Sequence, residues 1–373
     1  MKRPLALLAI LTAATACGPV AEEIPPATAG VVATTTTSAA TTIPVTVPAL
    51  AIVPAGGAAV SESEEGPVAF VAHEGLVFPI LEVADPWYRI VDTCGREGWV
   101  GQSAVTTVPA STPGEPGPGF DLSSGVIVVD AGHGGRDLGA KGATGVWESH
   151  VNLVIADLLR DRLSHPHSID WETGVVRTGD DYPAVGQVWM TRAPESPLDG
   201  DIELALAYRV EIANRVGADA LISIHNNSRP GVVSSTPGTD VFYSVAAAGS
   251  DRLASLIHEE LVRGLAQLGS EFGAARVTGA RTRVEPDGTD FYGVLRRGKQ
   301  PTVIVEGLYI SEPAEERILD SGIGKQAYAD GVYRGLIRFL TTDETGTEIH
   351  PPEVFDADVG SATYQSCVVP RQP

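Results

Sequence analysis

Apolar residues follow two alternating patterns along residues 125–342. Short apolar runs predict five buried strands, at residues 126–129, 188–191, 220–224, 241–244 and 302–305. Between them, apolar residues recur every three or four positions and predict helices at 151–163, 203–216, 251–268 and 325–340. Because strands and helices alternate, the pattern predicts an α/β domain over residues 123–342, built on a mostly parallel sheet with helices on both faces.

The first residues have a different order: Lys2 and Arg3, an apolar run at 5–11, and small residues before Cys17. This order is typical of a secretory signal. Residues 14–18 resemble the lipobox of bacterial lipoproteins, which implies a signal peptide at 1–16 and acylation of Cys17. An ordinary signal peptide that contains a cysteine is the alternative. The run is shorter than the roughly 20 residues that span a bilayer.

The amino-acid composition changes twice between the signal and the α/β domain. Residues 17–63 are rich in Pro, Thr and Ala and contain no aromatic residue, which predicts a disordered stalk. Residues 64–107 contain short apolar runs and turn residues, which predict a small all-β domain. Its Trp87 and Trp99 segments resemble bacterial SH3-like domains, usually associated with the cell wall, although both tryptophans could simply form its core. A Pro/Gly linker at 108–122 and a C-terminal tail at 343–373 complete the chain.

Charge and cysteine content exclude several functions. The formal net charge is -21, from 26 basic and 47 acidic side chains, so no broad cationic face is available for nucleic acid or anionic lipid. Membrane attachment would therefore depend on acyl chains at Cys17. With three cysteines, the chain cannot form a four-thiolate metal site or a disulfide-dense scaffold.

Three polar residues follow three of the predicted strands. His133 lies in the Gly-rich loop after the first strand, His225 follows the third, and Glu306 follows the last. Ligands of open α/β sheets bind beyond the carboxyl ends of the strands, so we expect these side chains to converge there. Glu148 would begin the next helix at the same edge.

Two histidines and one glutamate are a common ligand set for catalytic Zn²⁺, which keeps one position open for water. We therefore interpret His133, Glu148 and His225 as zinc ligands. Zinc would lower the pKa of water and polarise a carbonyl group. Glu306 would then act as the general base and acid that moves the proton of the water to a leaving nitrogen. These are the parts of an amide hydrolase.

The same residues resemble the zinc-dependent N-acetylmuramoyl-L-alanine amidases, which cut the amide between glycan and peptide in bacterial peptidoglycan. The resemblance covers about residues 125–340 and includes the motifs DAGHGG at 130–135, ISIHNN at 222–227 and PTVIVEG at 301–307. It implies a phosphorylase/hydrolase-like fold, the zinc ligands and catalytic Glu306 given above, peptidoglycan as substrate, and a location outside the cytoplasmic membrane facing the wall. The resemblance does not say whether the enzyme requires a protein activator.

Two features depart from that family. Its members usually have Gly two residues after the glutamate and Asn after the Ser, whereas this chain has Gly307 one residue early and Glu312 in place of the Asn. An insertion at 166–187 connects the first helix to the next strand, and we expect it at the end of the domain opposite the site. An autoinhibitory helix, present in some relatives, is not recognisable in the sequence.

Other residues are weaker candidates. Asn226 and Asn227 could contact substrate or shape their loop, and Arg296 could bind a carboxylate of the stem peptide or belong to the charged surface. Cys94 and Cys367 form an even pair once Cys17 is acylated, which predicts a disulfide in an oxidising compartment, two buried thiols being the alternative. Two alternative functions are a zinc peptidase that acts on wall peptides and a noncatalytic wall-binding lipoprotein.

Overall fold

The structure, a computed structural model, describes residues 48–194, 204–229, 238–268, 279–355 and 367–371. Within these ranges, no helix is long and apolar enough to cross a membrane. The predicted signal peptide, Cys17 and most of the predicted stalk lie outside the described residues.

The N-terminal domain is all-β, with a seven-stranded antiparallel sheet in the order β3-β2-β6-β5-β4-β1-β7. Its strands are β1 (Pro48–Ile52), β2 (Ala58–Ser61), β3 (Val68–Ala72), β4 (Val77–Ala84), β5 (Trp87–Val91), β6 (Glu97–Gly101) and β7 (Thr106–Pro109). Leu50, Phe78 and Ile90 are fully buried in its core. Trp87 and Trp99 are only half-buried and do not belong to that core.

The predicted boundary between stalk and β domain is wrong. Residues 48–63 are not disordered, because β1 and β2 belong to the sheet and bury Leu50, Ala51 and Val60. Their composition is that of the stalk, but the short apolar run at 49–53 pairs on both sides, with β4 and with β7. Among the described residues, the strands of this domain extend from Pro48 to Pro109, two residues into the predicted linker.

The second domain contains a mixed α/β sheet, as its sequence pattern predicts. The strands are β8 (Val126–Ala131), β9 (His167–Asp170), β10 (Val175–Thr178), β11 (Gln187–Met190), β12 (Ala220–Asn227), β13 (Asp240–Tyr243), β14 (Gly279–Arg281), β15 (Arg283–Val284), β16 (Thr302–Tyr309) and β17 (Glu353–Val354). The helices are α1 (Glu148–Ser164), α2 (Leu206–Val216), α3 (Ser250–Ala266), α4 (Gly293–Arg297), α5 (Pro313–Asp320) and α6 (Gly322–Thr341).

Six of these strands form the central sheet, in the order β11-β8-β12-β16-β13-β14. Every neighbouring pair is parallel except β13 with β16, which is antiparallel. Helices α1, α3 and α6 cover one face, whereas α2 and α4 cover the other. Parallel strands place their carboxyl ends at one edge, and α1 begins at the same edge with Glu148.

The insertion at 166–187 forms the β9–β10 hairpin at the other end of α1. A guanidinium Nη1 of Arg334 on α6 donates to the carbonyl of Gly174 over 2.6 Å, and the amide of Gln267 donates to the carbonyl of Thr173 over 2.9 Å. Since α1 spans about 25 Å over its length, this hairpin lies far from Glu148.

The β domain packs on the outer face of α2. The hydroxyl of Tyr208 donates to the carbonyl of Val77 over 2.7 Å, and Arg215 donates to the carbonyl of Leu81 over 3.3 Å. Apolar side chains of both domains form one continuous core cluster. The interface between the two domains is therefore part of a shared hydrophobic core and does not consist of polar surface contacts alone.

The C-terminal tail joins the two domains a second time. Its β17 strand pairs in parallel with β15 of the α/β domain. Farther along, a disulfide joins Cys367 to Cys94 of the β domain, which is the pairing that the sequence predicts. Beyond it, Val369 is buried and the carbonyl of Pro370 accepts from the amide of His73 over 3.2 Å.

Candidate active site

The loop after β8 places His133 above the sheet edge in a strained backbone conformation. Its φ of 62° is the one positive value of a non-glycine residue within the described ranges. Arg209 holds this conformation by donating from Nη2 to the carbonyl of His133 over 2.6 Å. At Gly132 a Cβ atom would lie 2.2 Å from Nε2 of His225, so only glycine fits beneath that ring.

The ring of His133 is fixed between two carboxylates. Its Nδ1 lies 2.9 Å from Oδ2 of Asp137, and its Nε2 lies 3.2 Å from Oε1 of Glu148. Burial by itself would lower the pKa of His133, but the hydrogen bonds to Asp137 and Glu148 outweigh it and raise that pKa to about 10. Asp137 therefore orients the ring so that Nε2 faces Glu148.

Glu148 is the first residue of α1 and is almost fully buried. Its Oε1 lies 3.2 Å from Nδ1 of His225 and accepts from the amide of Asn226 over 3.1 Å, while Oε2 accepts from the amide of Ala140 over 2.9 Å. Burial would raise the pKa of Glu148, yet the hydrogen bonds and charges of His133 and His225 hold it well below its usual range.

His225 and Glu306 lie inside strands, not after them. The extended backbone of β12 continues to Asn227 and that of β16 to Tyr309, because the two strands pair beyond the apolar runs that the sequence shows. In this parallel pair His225 faces Glu306 directly, so both side chains project on the same side of the sheet.

The three predicted metal ligands converge. One ligand atom each from His133, Glu148 and His225 lies within 4.8 Å of the other two. Gly139 leaves the room for this cluster, because a Cβ there would lie 2.6 Å from the ring of His133 and 2.7 Å from Oε2 of Glu148. Two imidazole nitrogens and one buried carboxylate form a donor set that suits Zn²⁺, and the carboxylate behind His133 is the usual outer partner of a zinc-bound histidine.

Glu306 lies beside this cluster and is half-buried. Its Oε2 is inaccessible to solvent and has no hydrogen-bond partner among the described residues. Burial, together with the negative charges of Glu148 and Asp240, raises the pKa of Glu306 well above its usual range. Asp240 contributes because it faces Glu306 across the antiparallel β13–β16 pair.

The three weaker candidates lie in different settings. Asn226 is buried, and its side chain donates to Oδ1 of Asn152 over 2.9 Å, so it supports Glu148 and is not open to substrate. Asn227 is half-buried near Glu306 and donates to Oδ2 of Asp240 over 2.9 Å. Arg296 is exposed and donates to the carbonyl of Asp290 over 2.8 Å.

Two buried arginines hold the loop of His133. Arg192 donates to the carbonyls of Ala131 and Gly132, each over 2.9 Å. Arg209 donates to the carbonyl of Ala131 over 2.8 Å and to Asp130 over 2.7 Å. Arg209 lies among apolar positions of α2, but its partners lie far away in sequence.

The departures from the expected motif after Glu306 have structural reasons. Glu312 is the N-cap of α5, and its carboxylate accepts from the amides of Ala314 and Glu315 over 2.7 and 2.9 Å. Asn and the acidic side chains share this capping ability, so Glu can replace Asn there. Gly307 is packed against the ring of Tyr328.

Comparison with known proteins gives consistent matches. Residues 127–338 match the profile of a family described as N-acetylmuramoyl-L-alanine amidase. The germination-specific N-acetylmuramoyl-L-alanine amidase of Bacillus subtilis is 28% identical over 62% of this chain and 84% of its own length. The amidase AmiA of Escherichia coli is 27% identical over 58% of this chain and 76% of its own length. Among solved structures, AmiC2 of Nostoc punctiforme is 27% identical, with a TM-score of 0.44 over 58% of this chain and 97% of that chain.

Proposed function

Because this chain belongs to the N-acetylmuramoyl-L-alanine amidase family and is a peptidoglycan amidase, we propose that it works at a zinc centre held by His133, Glu148 and His225. The observation that carries the proposal is the convergence of these three donors within 4.8 Å, with Glu306 directly facing His225 in the neighbouring strand.

The donors are arranged for a cation. Oε1 of Glu148 lies 3.2 Å from a nitrogen of each histidine, so one ion between them would contact all three side chains. A bound Zn²⁺ supplies Lewis acidity, which polarises the scissile carbonyl and makes water more acidic. Asp137 and the amides of Ala140 and Asn226 keep the ligands in place before the ion arrives.

Glu306 is the proton carrier of the proposed reaction. A bound cation nearby would favour the ionised form of Glu306, and its carboxylate would then take one proton from the attacking water, whose oxygen adds to the amide carbon between muramic acid and L-alanine. The same carboxylate then delivers that proton to the alanine nitrogen as the carbon–nitrogen bond breaks. The side chain of Glu306 is half-buried, so water can reach it, and among the described residues no hydrogen bond competes for the lone pairs of its Oε2.

Substrate contacts beside Glu306 belong to the same proposal. Asn227 is half-buried and lies two residues after His225 on β12, where it can offer polar contacts to the muramyl peptide. Arg296 is exposed and keeps donors for a carboxylate of the stem peptide.

The remainder of the chain would hold the enzyme near its substrate. Acylation of Cys17 anchors it in the outer leaflet of the cytoplasmic membrane. The β domain serves as an SH3-like wall-binding domain, and its half-buried Trp87 and Trp99 supply the contact surface. A disulfide in the chain agrees with this oxidising location.

The test is a digest of purified peptidoglycan that is analysed by mass spectrometry, with parent, Glu306→Gln and a surface control, Glu172→Gln, whose side chain is exposed in the β9–β10 hairpin. The parent and the control should release intact stem peptides that begin with L-alanine. Glu306→Gln should lose about 10²-fold or more of the rate while keeping its zinc. Cuts between peptide residues, without release of L-alanine from muramic acid, would instead favour a wall peptidase. A Glu306→Gln variant as fast as the parent would exclude Glu306 as the base, and absence of any cut would favour a noncatalytic wall-binding role.

A further inference from the structure

A tyrosine hydroxyl lies between the two strands that carry His225 and Glu306. Tyr328 belongs to α6 and is fully buried. It lies on the face of the sheet opposite to the side chains of His225 and Glu306. Its hydroxyl lies 2.8 Å from the carbonyl of His225 and 3.0 Å from the carbonyl of Val305, and it accepts from the amide of Gly307 over 3.0 Å. One side chain therefore contacts the backbone on both sides of Glu306 and the backbone of a proposed zinc ligand.

The hydroxyl lies where the pairing of β12 and β16 becomes irregular. The register is regular from the Leu221–Thr302 pair to the His225–Glu306 pair, and then shifts so that Asn227 faces Tyr309. A register shift leaves backbone groups without their usual strand partners, and buried groups of this kind need another partner. Tyr328 provides one for the amide of Gly307.

Gly307 makes this arrangement possible. A Cβ atom at position 307 would lie 2.0 Å from Cε2 of Tyr328, so any other residue would displace the ring. The glycine that comes one residue early in the motif is thus matched to the tyrosine of α6. The two residues form one unit, although 21 positions separate them in the chain.

We propose that Tyr328 is a positioning residue that fixes the carboxylate of Glu306 relative to His225, and that Gly307 serves to admit its ring. The hydroxyl holds the peptide groups before and after Glu306, which limits how the strand can tilt there. The same hydroxyl ties that segment to the carbonyl of His225, so the general base and a metal ligand keep one geometry. This inference rests on the role of Glu306 proposed above.

The experiment compares Tyr328→Phe with Tyr333→Phe in the full chain. Tyr333 is a matched control, because it is also buried on α6 but its ring packs against His167, far from Glu306. With a soluble muramyl-peptide substrate, kcat of Tyr328→Phe should fall between about tenfold and about 100-fold, with KM and zinc content unchanged. In metal-free protein, hydrogen exchange of the Gly307 amide should be at least about tenfold faster than in Tyr333→Phe, since its partner is lost.

A second pair of variants tests the unit. Gly307→Ala should also lower kcat, whereas the same change in a Tyr328→Leu background should add less than about a twofold loss, because the ring it would displace is already absent. Equal kcat for Tyr328→Phe and Tyr333→Phe, or a loss confined to KM or to zinc binding, would overturn the proposal. Glu306→Gln is measured alongside: if it stays active, the role of Glu306 fails, and if it is inactive while Tyr328→Phe matches its control, only the inference on Tyr328 fails.

Discussion

Arg209 and Asp130 form an almost wholly buried ion pair directly beneath the loop of His133, with Nη1 of Arg209 2.7 Å from Oδ1 of Asp130. Burial by itself would raise the pKa of Asp130, but Arg209 and the hydroxyls of Ser223 and Thr191 together lower it to about 2. The pair thus stays charged, and the remaining donors of Arg209 are free to hold the carbonyls of Ala131 and His133.

Removing Arg209 should therefore affect both the stability of the fold and the proposed metal site. Arg209→Met leaves Asp130 as a buried charge with one partner fewer, so we expect the free energy of unfolding to fall by about 3–5 kcal/mol in urea titrations. Adding Asp130→Asn should restore much of that loss, yet zinc affinity measured by chelator competition should stay lower than in the parent. Zinc affinity equal to that of the parent in the double variant would show that the ion pair does not position His133.

The proposed zinc ligands can be tested by elemental analysis of the purified protein. His133→Ala and His225→Ala should each lose stoichiometric zinc and peptidoglycan hydrolysis, because each change removes one of three protein donors. His150→Ala is the control, since His150 is exposed on α1 two residues after Glu148. Full zinc retention in both ligand variants would refute the proposed site.

Asp137 should act through the orientation of His133. The Asp137→Asn variant keeps the size of the side chain but loses the negative charge that lies 2.9 Å from Nδ1 of His133. We expect zinc affinity to fall by about 10–100-fold in chelator competition, with the ligands themselves intact. Unchanged affinity would assign the contact a purely structural role.

His258 predicts a dependence of stability on pH. The amide of Gly279 donates to its Nε2 over 3.0 Å, its Nδ1 lies 3.2 Å from Oγ1 of Thr347, and burial lowers its pKa to about 4. The unfolded chain, with a pKa near 6.5, binds the proton first, so this contribution to stability is complete above pH 6.5 and decreases as the pH falls to about 4.

The corresponding measurement is urea unfolding at several pH values. Over that window His258 should contribute a loss of up to about 3 kcal/mol, which His258→Gln should remove from the pH profile. His150→Gln should leave the slope as in the parent, because His150 is exposed. Equal slopes for the parent and His258→Gln would contradict the assignment.

The disulfide should stabilise the fold without taking part in catalysis. Cys94→Ser with Cys367→Ser should lower the free energy of unfolding by about 2–5 kcal/mol, because the unfolded chain gains freedom and residues 367–371 lose their attachment. The kcat value should match that of the parent. Intact-mass analysis of secreted protein that finds two free thiols would show that the bond does not form.

The sequence predicted those parts of the molecule that depend on local pattern. Five of the six strands of the central sheet and the start of α1 at Glu148 follow from apolar periodicity, and the ligand set follows from polar residues beside strand ends. The sixth strand, β14, was missed, because its three residues carry no apolar run. The first strands of the β domain were missed, because residues 48–63 share the composition of the stalk and gain their order only by pairing with distant strands.

Long-range contacts explain the remaining differences. Arg209 reaches Asp130 across 79 positions, and Tyr328 reaches His225 across 103, so neither partner could be inferred from spacing. The lengths of β12 and β16 depend on each other, which is why His225 and Glu306 lie within strands. The burial of Asn226 could not be predicted either, because it depends on the contact with Asn152 of α1, 74 positions away.

The bond between Cys94 and Cys367 also makes most of the protein a covalent ring, since 273 positions separate the two cysteines. A protease that cuts one peptide bond anywhere inside the ring opens it but releases no fragment. Both pieces then stay linked to the N-terminal segment and, through it, to whatever holds that end. In an environment that contains proteases, a single nick would therefore not set the amidase domain free to diffuse along the wall.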